Sequence, residues 1–126
     1  MDKKVLVIED ESDISRPLAF RLKKKGLETL IAVDGEEGLA MAKREKPDLV
    51  ILDLMLPKLP GEEVCKQIRQ DESIGNVPIL MLTAKASDID KVVGKTLGAT
   101  SYMTKPFEAN ELLREIDRLL KKTPGS

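Results

Sequence analysis

In four places a chemically capable side chain directly follows a short run in this chain. Glu9-Asp10 follow Val5-Leu6-Val7-Ile8, Asp53 follows Leu49-Val50-Ile51-Leu52, Thr83 follows Ile79-Leu80-Met81-Leu82, and Lys105 follows the mixed segment Thr100 to Thr104. If these runs are parallel strands, their carboxyl ends share one rim. Three carboxylates gathered on that rim repel one another unless a cation lies among them. Oxygen ligands without histidine or thiolate favour Mg²⁺, with Mn²⁺ as the alternative. Magnesium keeps several waters, takes one or two carboxylates and completes its shell with phosphate oxygens. Lys105 and Thr83 could contact other oxygens of the same phosphoryl group, and such a set describes phosphoryl transfer. Taken singly, an acid after a strand is a turn former or a helix cap. The coincidence at four of five strand ends is what favours a site.

The elements that must position these residues follow from the hydrophobic period. Strand candidates are Val5 to Ile8, Glu28 to Val33, Leu49 to Leu52, Val77 to Leu82 and Thr100 to Thr104. Helical spacing fills each interval and follows the last strand: Ile14, Leu18 and Leu22; Leu39 and Ala42; Val64 and Ile68; Ile89, Val93 and Leu97; Leu112, Ile116, Leu119 and Leu120. Pro17 is expected in the first turn of its helix, and Gly26 and Gly98 where helices stop. The first, third and fourth strands are continuously apolar, as strands covered on both faces should be. The second and fifth carry Glu28, Thr29, Thr100, Ser101 and Thr104, and are expected at the edges. The expectation is an α/β fold of the flavodoxin-like kind. It is a doubly wound, five-stranded parallel sheet in the order 2-1-3-4-5 with five flanking helices, whose ligands bind where strands 1 and 3 part. Residues 1–122 form one domain and residues 123–126 a tail or linker stub.

Composition removes several alternatives. The chain has 126 residues, 21 Lys plus Arg against 22 Asp plus Glu, no histidine and one cysteine. Without histidine there is no Ser-His or Cys-His pair and no histidine metal site. Cys65 has no partner for an internal disulfide, and no apolar run approaches a membrane span or a signal-peptide core, which points to the cytoplasm. A net charge of −1 gives no electrostatic reason to expect contact with nucleic acid or an anionic membrane. Lys23-Lys24-Lys25 and Lys121-Lys122 are expected at helix ends, complementing the helix dipole.

The pattern closely resembles the response-regulator receiver domain of two-component signalling, over essentially the whole chain. The resemblance is carried by Val5-Leu6-Val7-Ile8-Glu9-Asp10-Glu11, Ala32-Val33-Asp34-Gly35, and Pro47-Asp48 through Asp53-Leu54-Met55-Leu56-Pro57. Gly61, Leu82-Thr83-Ala84, and Gly98-Ala99 leading into Tyr102-Met103-Thr104-Lys105-Pro106-Phe107 complete it. It implies that Asp53 accepts a phosphoryl group from the phosphohistidine of a sensor histidine kinase or a histidine phosphotransfer protein. It implies Asp10 as the direct Mg²⁺ ligand, with Glu9 and Asp53 beside it and the Met55 backbone carbonyl completing the protein's share of the shell. Thr83 and Tyr102 would be the switch pair, altering the face made by the fourth helix, fifth strand and fifth helix. Ala84 would leave room for the phosphoryl group. Lys105-Pro106 would be a cis peptide. The implied output is control of a downstream protein or of an effector domain absent from this chain, with no metabolic turnover.

Departures from the family pattern refine this. Glu9 stands where Asp is commoner, and its longer arm suits contact with the metal through water. Pro60 before Gly61 touches no chemistry that the sequence identifies. Met55 and Lys85 occupy positions that tune hydrolysis, and because Met55 cannot orient a water, a long-lived phosphoaspartate is expected. Thr100, Ser101, Glu115 and Asp117 stand where dimerising receivers carry complementary charges, which favours a monomer over a phosphorylation-dependent dimer. A magnesium-dependent phosphatase would need a second acid where Met55 stands. A nucleotide- or flavin-binding module would need a glycine- or hydroxyl-rich loop in place of Glu9-Asp10-Glu11. Composition does not separate a stand-alone receiver from one part of a longer regulator.

Overall fold

The computed structural model describes residues 3–83 and 98–121. Its elements are β1 (Lys4–Ile8), α1 (Ser12–Lys24), β2 (Glu28–Ala32), α2 (Gly35–Glu45), β3 (Leu49–Asp53), α3 (Gly61–Gln70), β4 (Ile79–Thr83), β5 (Ser101–Thr104) and α4 (Ala109–Lys121). All strand pairings are parallel, in the order β2-β1-β3-β4-β5. The expected doubly wound sheet is therefore present, with the mixed strands β2 and β5 at its edges. The fourth predicted helix, with Ile89, Val93 and Leu97, lies outside the described residues, as do Ala84, Lys85 and residues 123–126.

Successive residues of a strand face opposite sides of a sheet, and the core divides accordingly. Val5, Val7, Leu49, Ile51, Leu80 and Leu82 pack with Leu18 and Leu22 of α1 and with Leu112, Ile116, Leu119 and Leu120 of α4. Leu6, Ile8, Val50, Leu52, Ile79 and Met81 pack on the other face with Ala42 of α2 and with Val64, Cys65 and Ile68 of α3. The helical spacing read from the sequence thus names the inward stripes. Ile116 is wholly buried. Its replacement by alanine is expected to cost about 2–5 kcal/mol, read from the urea midpoint and slope. A loss under about 1 kcal/mol would contradict close packing of this helix on the sheet.

Two boundaries differ in ways that matter. Asp53 and Thr83 are the last residues of their strands instead of the first beyond them, because Asp53 still pairs with Leu82 and Thr83 with Thr104. Pro17 lies in the second turn of α1, since the helix starts at Ser12, where the Glu11 carbonyl already accepts from the Ile14 and Ser15 amides at 3.0 Å. Proline removes the donor for the Asp13 carbonyl, which is tolerable because both residues are exposed to solvent. The stop at Gly26 is as expected. Its φ of +85° lets the Leu27 amide reach back to the Leu22 carbonyl at 3.1 Å.

Candidate functional site

Backbone pairing sets the depth of each acidic side chain. The Glu9 amide donates to the Ala32 carbonyl at 2.9 Å, which keeps Glu9 on the sheet for one residue past β1 and buries its carboxylate. Asp10 and Glu11 follow as the chain leaves the sheet, and both are exposed. Asp53 ends the central strand β3 and is 3% exposed. The Leu54 amide after it donates to the Leu82 carbonyl at 2.9 Å. One carboxylate oxygen from each of Glu9, Asp10, Glu11 and Asp53 falls within 4.8 Å of the others.

Lys105 enters this cluster from the end of β5, just before the cis peptide Lys105-Pro106. Its Nζ lies 2.7 Å from Glu9 Oε1, 3.2 Å from Asp53 Oδ2 and 3.8 Å from Glu11 Oε1. The remaining oxygens of the two buried acids are also engaged. Glu9 Oε2 accepts the Glu11 amide at 3.3 Å, and Asp53 Oδ1 accepts the Met55 amide at 3.1 Å. Burial pushes the Glu9 carboxyl up to about 7, and a hydrogen bond shared with Asp53 adds to this while Lys105 opposes it. For Lys105, burial disfavours the charge, but contacts with Glu9 and Asp53 outweigh it and raise its pKa. One ammonium cannot balance four carboxylates at this spacing. Burial, with Asp53 beside it, thus favours the protonated form of Glu9, and a hard, oxygen-seeking divalent cation suits the donor set, since Asp10 and Glu11 open it to solvent.

Most residues chosen from the sequence therefore meet in one place. Glu9, Asp10, Asp53 and Lys105 converge, and Met55 joins them through its backbone amide while its side chain is 72% exposed. The backbone of Thr83 stands one step beyond Leu82, the residue paired with Asp53. Tyr102 is half-buried on β5 opposite Met81, packed against the cluster on the α2 and α3 face. Glu11 also belongs to the acidic group, beyond the residues that the resemblance implies. The unbroken acidic run Glu9-Asp10-Glu11 was the available signal.

The loop from Leu54 to Pro60 carries Met55 and is fastened on both sides. Leu54, Leu56 and Leu59 pack against the core, and the Gly61 amide donates to the Leu54 carbonyl at 3.1 Å. A Cβ on Gly61 would overlap the Asp53 carbonyl oxygen and lie 2.8 Å from Leu54 Cα, so the start of α3 can approach the end of β3 only as glycine.

The sheet order and this rim define a doubly wound protein with its chemistry at the switch point. Residues 5–117 match the family model described as response regulator receiver domain. The chain belongs to that family, the receiver domain of two-component response regulators. Over 123 residues it is 50% identical to the alkaline phosphatase synthesis transcriptional regulatory protein PhoP of Bacillus subtilis, covering 98% of this chain and 50% of that one. The chain spans about half the length of the curated relatives it matches. The structure superposes on the chemotaxis response regulator CheY4 of Vibrio cholerae with a TM-score of 0.90 at 35% identity, covering 94% and 99% of the two chains. It also superposes, at a TM-score of 0.88 and 29% identity, on the receiver domain of the sensor histidine kinase PA1611 from Pseudomonas aeruginosa, covering 97% and 100%. That structure has a magnesium ion coordinated in its active site cleft. The family is one of signalling rather than metabolic proteins. Among the described residues no helix is long and apolar enough to cross a membrane.

Proposed function

We propose that this chain is a phosphorylation-activated switch in which Asp53 takes a phosphoryl group from the phosphohistidine of a sensor histidine kinase or a histidine phosphotransfer protein. The observation that carries the reading is the buried Asp53 carboxylate, held by the Met55 amide on one oxygen and Lys105 on the other, inside a ring of acids.

Glu9, Asp10, Asp53 and the Met55 carbonyl would hold Mg²⁺, or Mn²⁺ in its place. The bound ion would neutralise charge building on the phosphoryl oxygens. The protein's own groups do the rest. An Asp53 oxygen attacks phosphorus, the phosphorus–nitrogen bond of the donor breaks, and the departing imidazole keeps that electron pair and takes up a proton. The Met55 amide fixes the rotation of the carboxylate, which confines the attack to one direction. Lys105 can leave its contact with Asp53 Oδ2 for a phosphoryl oxygen, remaining anchored by Glu9 Oε1 at 2.7 Å. Thr83 would donate its hydroxyl to the phosphoryl group, with Ala84 leaving room, and Tyr102 would respond by changing the face that β5 and its neighbouring helices offer to a partner.

Residues 1–122 would act as one cytoplasmic receiver unit and residues 123–126 as a tail or linker stub. The unit works through a downstream protein or an attached effector, as a monomer or as a dimer formed on phosphorylation, without touching nucleic acid or membrane itself. Met55 and Lys85 would set the lifetime of the phosphoaspartate. Incubation with acetyl phosphate, followed by intact mass, is expected to add one phosphoryl group only when Mg²⁺ is present. The group should then persist after the donor is removed. Uptake equal in EDTA, or loss as fast as mixing, would contradict the reading.

A further inference from the structure

The N-terminus of α2 closes on the loop that follows Asp53 more tightly than packing alone requires. A Cβ on Gly35 would overlap the Leu59 carbonyl oxygen and lie 2.7 Å from Leu59 Cβ. The Gly35 amide donates to the Pro57 carbonyl at 3.3 Å, and the Leu59 amide donates to the same carbonyl at 2.8 Å. Asp34 adds a charge to this contact. Its Oδ1 caps α2 by accepting the Glu37 amide at 2.8 Å, and its Oδ2 lies 3.6 Å from Lys58 Nζ. Between these ties Lys58 is held at a φ of +67°, a left-handed conformation that a lysine adopts only when its surroundings impose it. At its other end the same loop presents the Met55 amide to Asp53 Oδ1.

We propose that Asp34 and Gly35 are positioning residues for Asp53, acting through the loop from Met55 to Leu59 to hold the Met55 amide against the carboxylate. The proposal rests on the phosphoacceptor reading for its effect on rate, but its structural part stands without that reading. A side chain on Gly35 must push Leu59 away. Because Gly61 pins the near end of the loop, the displacement is taken up between Met55 and Lys58. Angular freedom then returns to the Asp53 carboxylate, and misplacement of a nucleophile on this scale slows attack strongly.

The test compares Gly35→Ala and Asp34→Ala with Gly75→Ala. A Cβ on Gly75 would lie 2.7 Å from the Asp71 carbonyl oxygen, in the turn after α3 and away from this loop. The first readout is the Met55 amide proton resonance without metal or phosphodonor. The second is the rate of phosphoryl uptake from acetyl phosphate with Mg²⁺. Gly35→Ala is expected to move the Met55 resonance upfield as its hydrogen bond lengthens, and to slow uptake about tenfold. Asp34→Ala, which keeps the glycine and serves if Gly35→Ala does not fold, should give a smaller change of the same sign. Gly75→Ala should lower the melting temperature yet leave both readouts unchanged. An unmoved Met55 resonance in both α2 variants, or an equal shift in Gly75→Ala, would overturn the proposal. A shift confined to the α2 variants, in a protein whose wild type takes up no phosphoryl group, would sustain the clamp and overturn the phosphoacceptor reading instead.

Discussion

Replacing Lys105 with methionine is expected to slow phosphoryl uptake from acetyl phosphate about 10²–10³-fold, the order of the cost of removing one preorganised donor that stabilises developing negative charge. Methionine matches the length of the lysine stem but carries no ammonium. The variant therefore removes the contacts to Glu9 Oε1, Asp53 Oδ2 and Glu11 Oε1 together. It leaves four carboxylates with no cation among the described side chains facing them. Two effects then separate. The metal-free variant should be less stable than wild type near pH 8, and lowering the pH or adding Mg²⁺ should restore much of the difference, since a proton or an ion can take the place of the ammonium. The slow uptake should persist at saturating Mg²⁺, because the ion does not supply the contact that Lys105 offers to a phosphoryl oxygen. Uptake within twofold of wild type under those conditions would remove Lys105 from the mechanism.

The second large effect is a pH dependence of the wrong sign for an ordinary carboxylate. In the folded, metal-free protein the Glu9 carboxyl keeps its proton up to about pH 7, whereas in the unfolded chain it releases it near pH 4.5. The folded state therefore binds more protons between these values, and stability falls as pH rises through that window, by about 3 kcal/mol in all for a nearly buried group. Other shifted acids do not mask this. Asp34, lowered chiefly by the Glu37 amide, Glu45, lowered chiefly by Arg44, and Asp71, lowered chiefly by Ser73, contribute their stabilisation fully once the pH exceeds the unfolded carboxylate range. The raised pKa of Lys105 acts only at alkaline pH. Urea unfolding in EDTA at pH 5.5 and pH 8 should thus show the lower stability at pH 8. Glu9→Gln should flatten the dependence, and Mg²⁺ should bind more tightly at the higher pH because the retained proton competes with it. A stability that rises between these pH values, or a slope unchanged in Glu9→Gln, would mean that Glu9 is ionised in the metal-free site.

What could be read from the chain follows from which interactions have a period. β1, β3 and β4 are covered on both faces and so are spelled as unbroken aliphatic runs, which made both the sheet order and the shared rim legible. The stripe Leu112, Ile116, Leu119 and Leu120 likewise announced its helix. Side-chain length and direction have no such signature. Nothing in the spacing says that Glu9 reaches Lys105, that Glu11 joins the acids, or that Asp53 is held by the amide two residues on. The same holds for Arg69, whose guanidinium donates to the carbonyls of Gly98, Val77 and Gly75 at 2.8, 2.6 and 3.1 Å and ties the end of α3 to the entries of β4 and β5. Steric closeness is also silent in sequence. Gly35 and Gly61 stand in the sequence only as members of the family motif, whereas their places are set by the backbones of Leu59, Asp53 and Leu54 against them. The start of α1 has no distinct signature for a related reason: Glu11, at its N-cap, makes no capping hydrogen bond, while the cap-type residues Ser12, Asp13 and Ser15 all lie inside the helix.

Whether Asp53 is the nucleophile is decided by intact-protein mass on wild type and Asp53→Asn. Both proteins are incubated with acetyl phosphate, with Mg²⁺ and with EDTA, and folding is checked by circular dichroism. The asparagine keeps an oxygen for the Met55 amide but has no carboxylate to attack phosphorus. One added phosphoryl group is expected on wild type in Mg²⁺ only, and none on folded Asp53→Asn. A phosphoryl group retained by Asp53→Asn, or no uptake by folded wild type at saturating Mg²⁺, would contradict that role.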